Sequence, residues 1–417
     1  MKNNLPSLLK QRLEYELFRM ERIKQNYTIE EEAARNTLFS EIKNFTDEEF
    51  KILIKNKVLD YAYINGNIHF ENRFLSNLFF YSEAFSSRRI NPDLKKEKCN
   101  KLLHNSVDRL LSDASPIKYK VKAKISSTLK EDASIKGSKL KCWLPLAKND
   151  LQQGNIKIIS SSHKLLFVSG ENHPSRTVYM EDIVINKPEF ELEFQYDISE
   201  IKNNIDPTVV IPLKNDMSMF LCEKAPHIEF TYYLRNLAAE IVGSEKNPYL
   251  QAKRIYDWIT RNIRYSFMSE YRVYENLSQF AAINMRGDCG VQALLFITLC
   301  RICGIPARWQ SGWYANPINP GSHDWALFYV EPYGWLPVDC SFGGARRNNE
   351  AYREFYFGNL DAFRMIANSE FMYAFSPYKK HLRNDPYDNQ TGEIETESGP
   401  VFPENLDTNI EVICNPI

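Results

Sequence analysis

A chain of 417 residues is too long for one ordinary hydrophobic core and predicts two or three domains. Its 43% hydrophobic and 25% charged residues are those of a globular protein, and a net charge of −1 supplies no positive field, which argues against a nucleic-acid partner. No run of about 18 apolar residues exists, so neither a transmembrane helix nor a membrane partner is expected.

Residues 1–112 read as a helical N-terminal accessory module. Met1–Lys24 is charged throughout and lacks an apolar signal-peptide core. Thr28-Ile29-Glu30-Glu31 and Thr46-Asp47-Glu48-Glu49 each match the capping box, a hydroxyl followed three residues later by Glu. Tyr61–Phe70 predicts a small hairpin turning at Asn65-Gly66, and a basic helix is expected from about Asp93 to Ser112. From residue 117 to 212 the apolar period changes to two. Tyr119, Val121, Ala123 and Ile125 alternate with lysines, and Phe190, Leu192, Phe194 and Tyr196 with acidic or amide residues, which predicts an antiparallel β-sandwich domain.

Helical signals return at Ala225-Pro226, and residues 226–375 read as an α+β domain. Helices are predicted over Tyr232–Val242, Tyr249–Ile263 and 289–303, then strands over Ala307–Tyr314, His323–Val330 and Trp335–Asp339. Residues 376–417 are polar and rich in Pro, Asp and Asn, and are expected to form an extended polar C-terminal arm or a disordered tail.

The helix at 289–303 is the centre of this reading. From Val291 to Cys303 only Gln292, Thr298 and Arg301 are strongly polar, so it belongs in a core. Asp288 can cap its start, and Gly304 with Pro306 ends it. Cys289 then falls in the first turn, where unpaired N–H groups and the helix dipole favour a thiolate, so its pKa is expected below the free value of about 8.5. A thiol nucleophile needs a base, and the base a third group to fix its tautomer. His323 opens one strand and Asp339 closes the next. An odd loop, for example 329–333, puts the two on one face, and an even loop separates them.

Taken singly, these residues have ordinary explanations: a small buried hydrophobe, a structural His, a turn Asp. Cys300 and Cys303 lie at the C-terminal end of the helix, away from its dipole, and are read as packing residues. No zinc-ligand spacing, EF-hand loop or phosphate-binding loop is found, and neither a metal nor a cofactor is expected.

Gly287-Asp288-Cys289, Leu299-Cys300-Arg301 with Gly304-Ile305-Pro306-Ala307-Arg308, His323-Asp324-Trp325, and Gly334-Trp335 with Val338-Asp339 together resemble the core of the transglutaminase-like superfamily. The resemblance covers about 245–345. Upstream, Lys141-Cys142-Trp143-Leu144-Pro145 resembles the β domain that precedes this core in bacterial members. It implies a papain-like core, a central Cys-bearing helix packed on an antiparallel sheet, with Cys289, His323 and Asp339 as the catalytic triad. An aromatic before the cysteine helps hold the oxyanion in some relatives, a place Trp258 or Tyr265 could take.

The implied activity is acyl transfer on protein or peptide amide bonds through a thioester, with hydrolysis favoured. A crosslinking glutamyl transferase and a non-catalytic scaffold are the alternatives. With the triad ion pair formed at rest, Asp339→Asn is expected to cost about 10–10³ in turnover. The eight cysteines follow no disulfide rhythm, and a reduced, cytoplasmic chain is expected. Trp309, Trp313 and Tyr314 could line a groove or fill the core. The sequence leaves the oligomeric state open.

Overall fold

The structure, a computed structural model, describes residues 5–112, 114–130, 137–184, 189–384 and 387–417. At its middle is the helix Cys289–Ile302, in which Gly290 through Arg301 are all buried. Asp288 caps it by accepting the Val291 N–H at 3.1 Å. Gly304, at φ 77°, ends it by allowing the Ile305 N–H to reach back to the Cys300 carbonyl at 2.9 Å. Around this helix one core collects the helices Tyr232–Val242, Pro248–Asn262 and Leu277–Asn284 with residues of a four-stranded antiparallel sheet. The sheet order is Gly334–Val338, Gly321–Val330, Ala307–Tyr314, Arg364–Asn368. Phe296 of the helix meets Phe328 of the second strand at 5.9 Å between ring centroids.

The hairpin that carries His323 and Asp339 pairs Val330 with Gly334 and Ala326 with Val338. Its loop, 331–333, is therefore odd, and the two side chains share a face. The register differs from direct opposition by one step on each face. Carried one residue further it sets Asp339 beside Trp325, so Asp339 reaches His323 diagonally along the strand.

Two further antiparallel sheets share a second core. One runs Leu406–Pro416, Lys118–Leu129, Glu189–Ser199, Gln153–Ser161; the other places Glu393–Glu395 beside Lys139–Pro145, followed by Thr177–Ile183. The strand Ala307–Tyr314 runs from one core into the other, with Trp309 buried in the first and Trp313 in the second. Core packing is thus what these two tryptophans do. Gly312 permits the neighbouring strand's close approach, since a Cβ there would sit 3.0 Å from the Met365 carbonyl carbon.

The reading of residues 376–417 as an arm or tail is corrected. Residues 406–416 pair along the whole of Lys118–Leu129, from Leu406 opposite Leu129 to Pro416 opposite Tyr119. The polar composition belongs to an edge strand, with Leu406 and Val412 buried and most other side chains exposed. Upstream, Glu393 is buried and held by Lys379 at 2.7 Å and Arg383 at 2.6 Å. The sandwich accordingly draws strands from beyond residue 212.

In the N-terminal region the hairpin Tyr61–Ile64 and Asn67–Phe70 turns through Asn65 (φ 53°) and Gly66 (φ 89°), as its dipeptide predicts. The Thr46 capping box is formed. The Thr28 box is not: the helix starts at Glu31 without a side-chain cap, and the Thr28 hydroxyl donates to Asn72 at 2.7 Å. Ala34, Leu38, Phe50, Phe70 and Leu78 make a separate small core. The helix Leu94–Leu111 instead inserts Leu103, Val107 and Leu110 into the core around the helix Cys289–Ile302.

Acid should weaken this packing through one buried imidazole. His227 Nδ1 accepts the Leu277 N–H at 3.2 Å, which leaves Nε2 to donate to the Tyr387 hydroxyl at 3.0 Å. Burial pushes the ring down from 6.5 to about 4. The folded ring therefore stays neutral where the unfolded one takes a proton. Its stabilising contribution is complete above about 6.5 and is lost as pH falls toward 4, by about 3 kcal/mol in all. Urea unfolding at pH 7 and 4.5 should register this fall, and His227→Gln should reduce it.

Candidate active site

Cys289 opens the buried helix, and its thiol donates to Asp324 Oδ2 at 3.3 Å. Asp324 stands on the strand face that carries Ala326 and Phe328 toward the helix, so the residue after the histidine, not the histidine, meets the sulfur. His323 points to the other face, where its ring packs 4.7 Å from that of Phe342. Its Nε2 and Asp339 Oδ2 are 2.7 Å apart. Among the described residues no hydrogen bond joins Cys289 to His323. The structure therefore brings His323 and Asp339 together and places Cys289 on a neighbouring acid.

Asp339 is fully buried and accepts four hydrogen bonds. Oδ2 takes His323 and Arg364 Nη2 at 2.8 Å, while Oδ1 takes the Phe342 N–H at 2.9 Å and the Ser341 hydroxyl at 3.0 Å. Burial alone would raise this carboxyl, but His323, Arg364 and the Phe342 N–H together hold it well below the usual range. Arg364, itself fully buried, also pairs with Asp361 at 3.1 Å and lies 4.2 Å over the Phe342 ring. Sequence reasoning missed Arg364 because it stands in a short strand 25 residues beyond Asp339, outside any local motif.

The expected low thiol pKa is corrected. Burial, then the carboxylates of Asp324 and Asp288, push Cys289 well above its ordinary value. These charges outweigh the helix N-terminus, whose partial positive charge is already taken by the capping Asp288. Burial also pushes His323 down, against the pull of Asp339. Both shifts therefore work against a preformed thiolate–imidazolium pair.

The site is walled from two sides. Gln390 donates through Nε2 to the His323 carbonyl at 3.2 Å and to Asp324 Oδ1, and its own carbonyl accepts Trp313 Nε1 at 2.6 Å. On the other side the Phe267 N–H donates to Asn77 of the N-terminal region at 2.7 Å, and Arg73 binds the Met268 carbonyl. Tyr265, its ring tilted against that of Phe80 at 4.8 Å between centroids, is close enough to Cys289 for its phenol to be raised by burial and by that neighbour. Trp258 lies on the helix Pro248–Asn262 at the margin of the core.

Two substitutions test this architecture. Arg364→Met leaves Asp339 and Asp361 buried without their cation and should cost about 3–5 kcal/mol in unfolding free energy. Gly290→Ala puts a Cβ 2.9 Å from Asp324 Oδ2 and 3.0 Å from Trp309, besides striking the Tyr271 hydroxyl. Overpacking there should cost about 1–3 kcal/mol in denaturant melts, although Ala favours a helix.

Among the described residues no group of three or more His, Cys, Asp or Glu is placed to hold a metal ion, and no helix is long and apolar enough to cross a membrane. Comparison with known proteins matches residues 235–340 to the transglutaminase-like superfamily. An uncharacterised protein of Haemophilus influenzae is 23% identical over 192 residues, 38% of this chain and 52% of that protein. The chain thus spans about half the length of this relative. Among solved structures, a candidate cysteine protease from Cytophaga hutchinsonii is 20% identical, covering 73% of this chain and 92% of that one with a TM-score of 0.46. The periplasmic domain of TgpA from Pseudomonas aeruginosa is 14% identical, covering 60% and 95% with a TM-score of 0.31. The cysteine helix and the hairpin that carries His323 lie within the matched segment, and the chain carries a transglutaminase-like superfamily domain at residues 235–340.

Proposed function

We propose that this chain is a cysteine-dependent acyl-transfer enzyme acting on amide bonds of a protein or peptide, with water as its ordinary acceptor. The observation that carries the reading is the buried His323–Asp339 pair, 2.7 Å apart, in the same core as a helix that begins with a cysteine. Asp339 engages Nε2, so Nδ1 is the nitrogen left to receive a proton from Cys289. For attack the thiol must leave Asp324 and reach His323 Nδ1, a hydrogen bond not formed at rest among the described residues; the ring then takes its proton and Sγ bonds to the amide carbonyl carbon. The carbonyl electrons move onto oxygen, and the backbone N–H of Cys289 is the donor assigned to that oxyanion. His323 then returns the proton to the leaving amine, the C–N bond breaks and a thioester remains. Water, deprotonated by the same ring, releases the acid and restores the thiol.

Because burial and the flanking acids work against a preformed ion pair, His323 acts here as a base during attack. The test is incubation with a peptide library, with and without a primary amine, read by mass spectrometry. New peptide termini support the hydrolase. Amine incorporation with loss of ammonia, in place of new termini, makes the chain a transferase, and unchanged peptides leave a binding protein.

A further inference from the structure

We propose that Asp324 is a positioning residue that parks the Cys289 thiol away from His323, and that the C-terminal segment around Gln390 holds Asp324 in that role. The proposal rests on Cys289 being the nucleophile and adds how its reactivity is set.

Three independent features converge on Asp324. Its Oδ2 accepts the thiol at 3.3 Å, a contact that depends on residue 290 having no side chain, since a Cβ there would lie 2.9 Å from the same oxygen. Its Oδ1 accepts the Gln390 amide, whose nitrogen also binds the His323 carbonyl, so one side chain ties both residues to the strand. Asp388, buried on the same segment, is beside Asp324: burial first and then Asp324 push its carboxyl well up. Gln390 is fixed in turn by Trp313 through its carbonyl.

The consequence is electrostatic. A carboxylate that accepts the thiol hydrogen stabilises S–H, and its charge opposes S⁻. Reaction therefore requires the thiol to exchange an acid that keeps its proton for an imidazole that removes it. The charged and titratable groups around this exchange are Asp288, held by Tyr271, Asp388 on the C-terminal segment, and Tyr265 beside the thiol. Arg73 acts on Asp288 and Tyr265 from the N-terminal region, and Arg383 acts on Asp388. Burial and the two flanking acids raise the thiol in the same direction as the contact.

The experiment is the pH profile of iodoacetamide labelling at Cys289, mapped by peptide and measured on the full chain with folding checked by circular dichroism. Asp324→Asn, which keeps the size and removes the charge, should label about tenfold faster at pH 7 and move the profile about one pH unit lower. Gln390→Ala, which releases Asp324 without removing it, should move the profile the same way by less. A folded Asp324→Asn protein that labels at the wild-type rate with an unmoved profile overturns the parking role. Should that variant fail to fold, an unmoved profile in Gln390→Ala does the same. Labelling requires no turnover, so either result is separable from activity loss in Cys289→Ala, which tests the nucleophile itself.

Discussion

Cys289→Ala should reduce amide-bond turnover to background, a fall of at least about 10³, because a nucleophile that forms the covalent intermediate has no substitute in its site. The fold should survive. Cys289 is only partly buried and its described hydrogen bond is the one to Asp324, so truncation should cost roughly 1 kcal/mol. Activity assays beside thermal melts separate the two effects, and a large drop in melting temperature would mark the cysteine as structural.

Asp339→Asn should also damage turnover severely, by about 10⁴, the figure for the equivalent change in serine enzymes. The sequence alone predicts less, on the view that a thiol site rests as an ion pair. Here burial and acidic neighbours raise the thiol while burial lowers the imidazole, so positive charge on His323 develops during the reaction. Asp339 is then needed most in the transition state, as in a serine enzyme. The amide also substitutes an N–H for one of the oxygens that accept His323, Arg364, Ser341 and Phe342. A loss of turnover below tenfold in the folded variant would mean that Asp339 is structural.

What was legible in the sequence lay within short segments. Asp288 and Gly304 bracket the central helix because capping depends on residues within a turn of it. Apolar alternation marks the strand Lys118–Leu129, since one of its faces meets a core. The odd loop of the hairpin follows from parity, and His323 and Asp339 share a face accordingly. What stayed hidden depends on residues distant in the chain. Nothing near Asp324 signals that its face of the strand, and not that of His323, meets the cysteine; that is set by how the helix lies on the sheet. Arg364 and Gln390 reach the site from separate later segments. The strand Leu406–Pro416 reads as polar tail because only one edge and a few side chains are buried. Thr28 shows the opposite failure, a correct local motif overridden by a tertiary partner, Asn72.

The central claim is that Cys289 carries the acyl group, and the most direct measurement is peptide mapping by mass spectrometry after acid quenching during turnover of a peptide substrate. The account predicts a substrate-derived acyl group on Cys289, labile to hydroxylamine as a thioester is and absent from Cys289→Ala. Turnover with the acyl group on another residue, or continued turnover by Cys289→Ala, would contradict it.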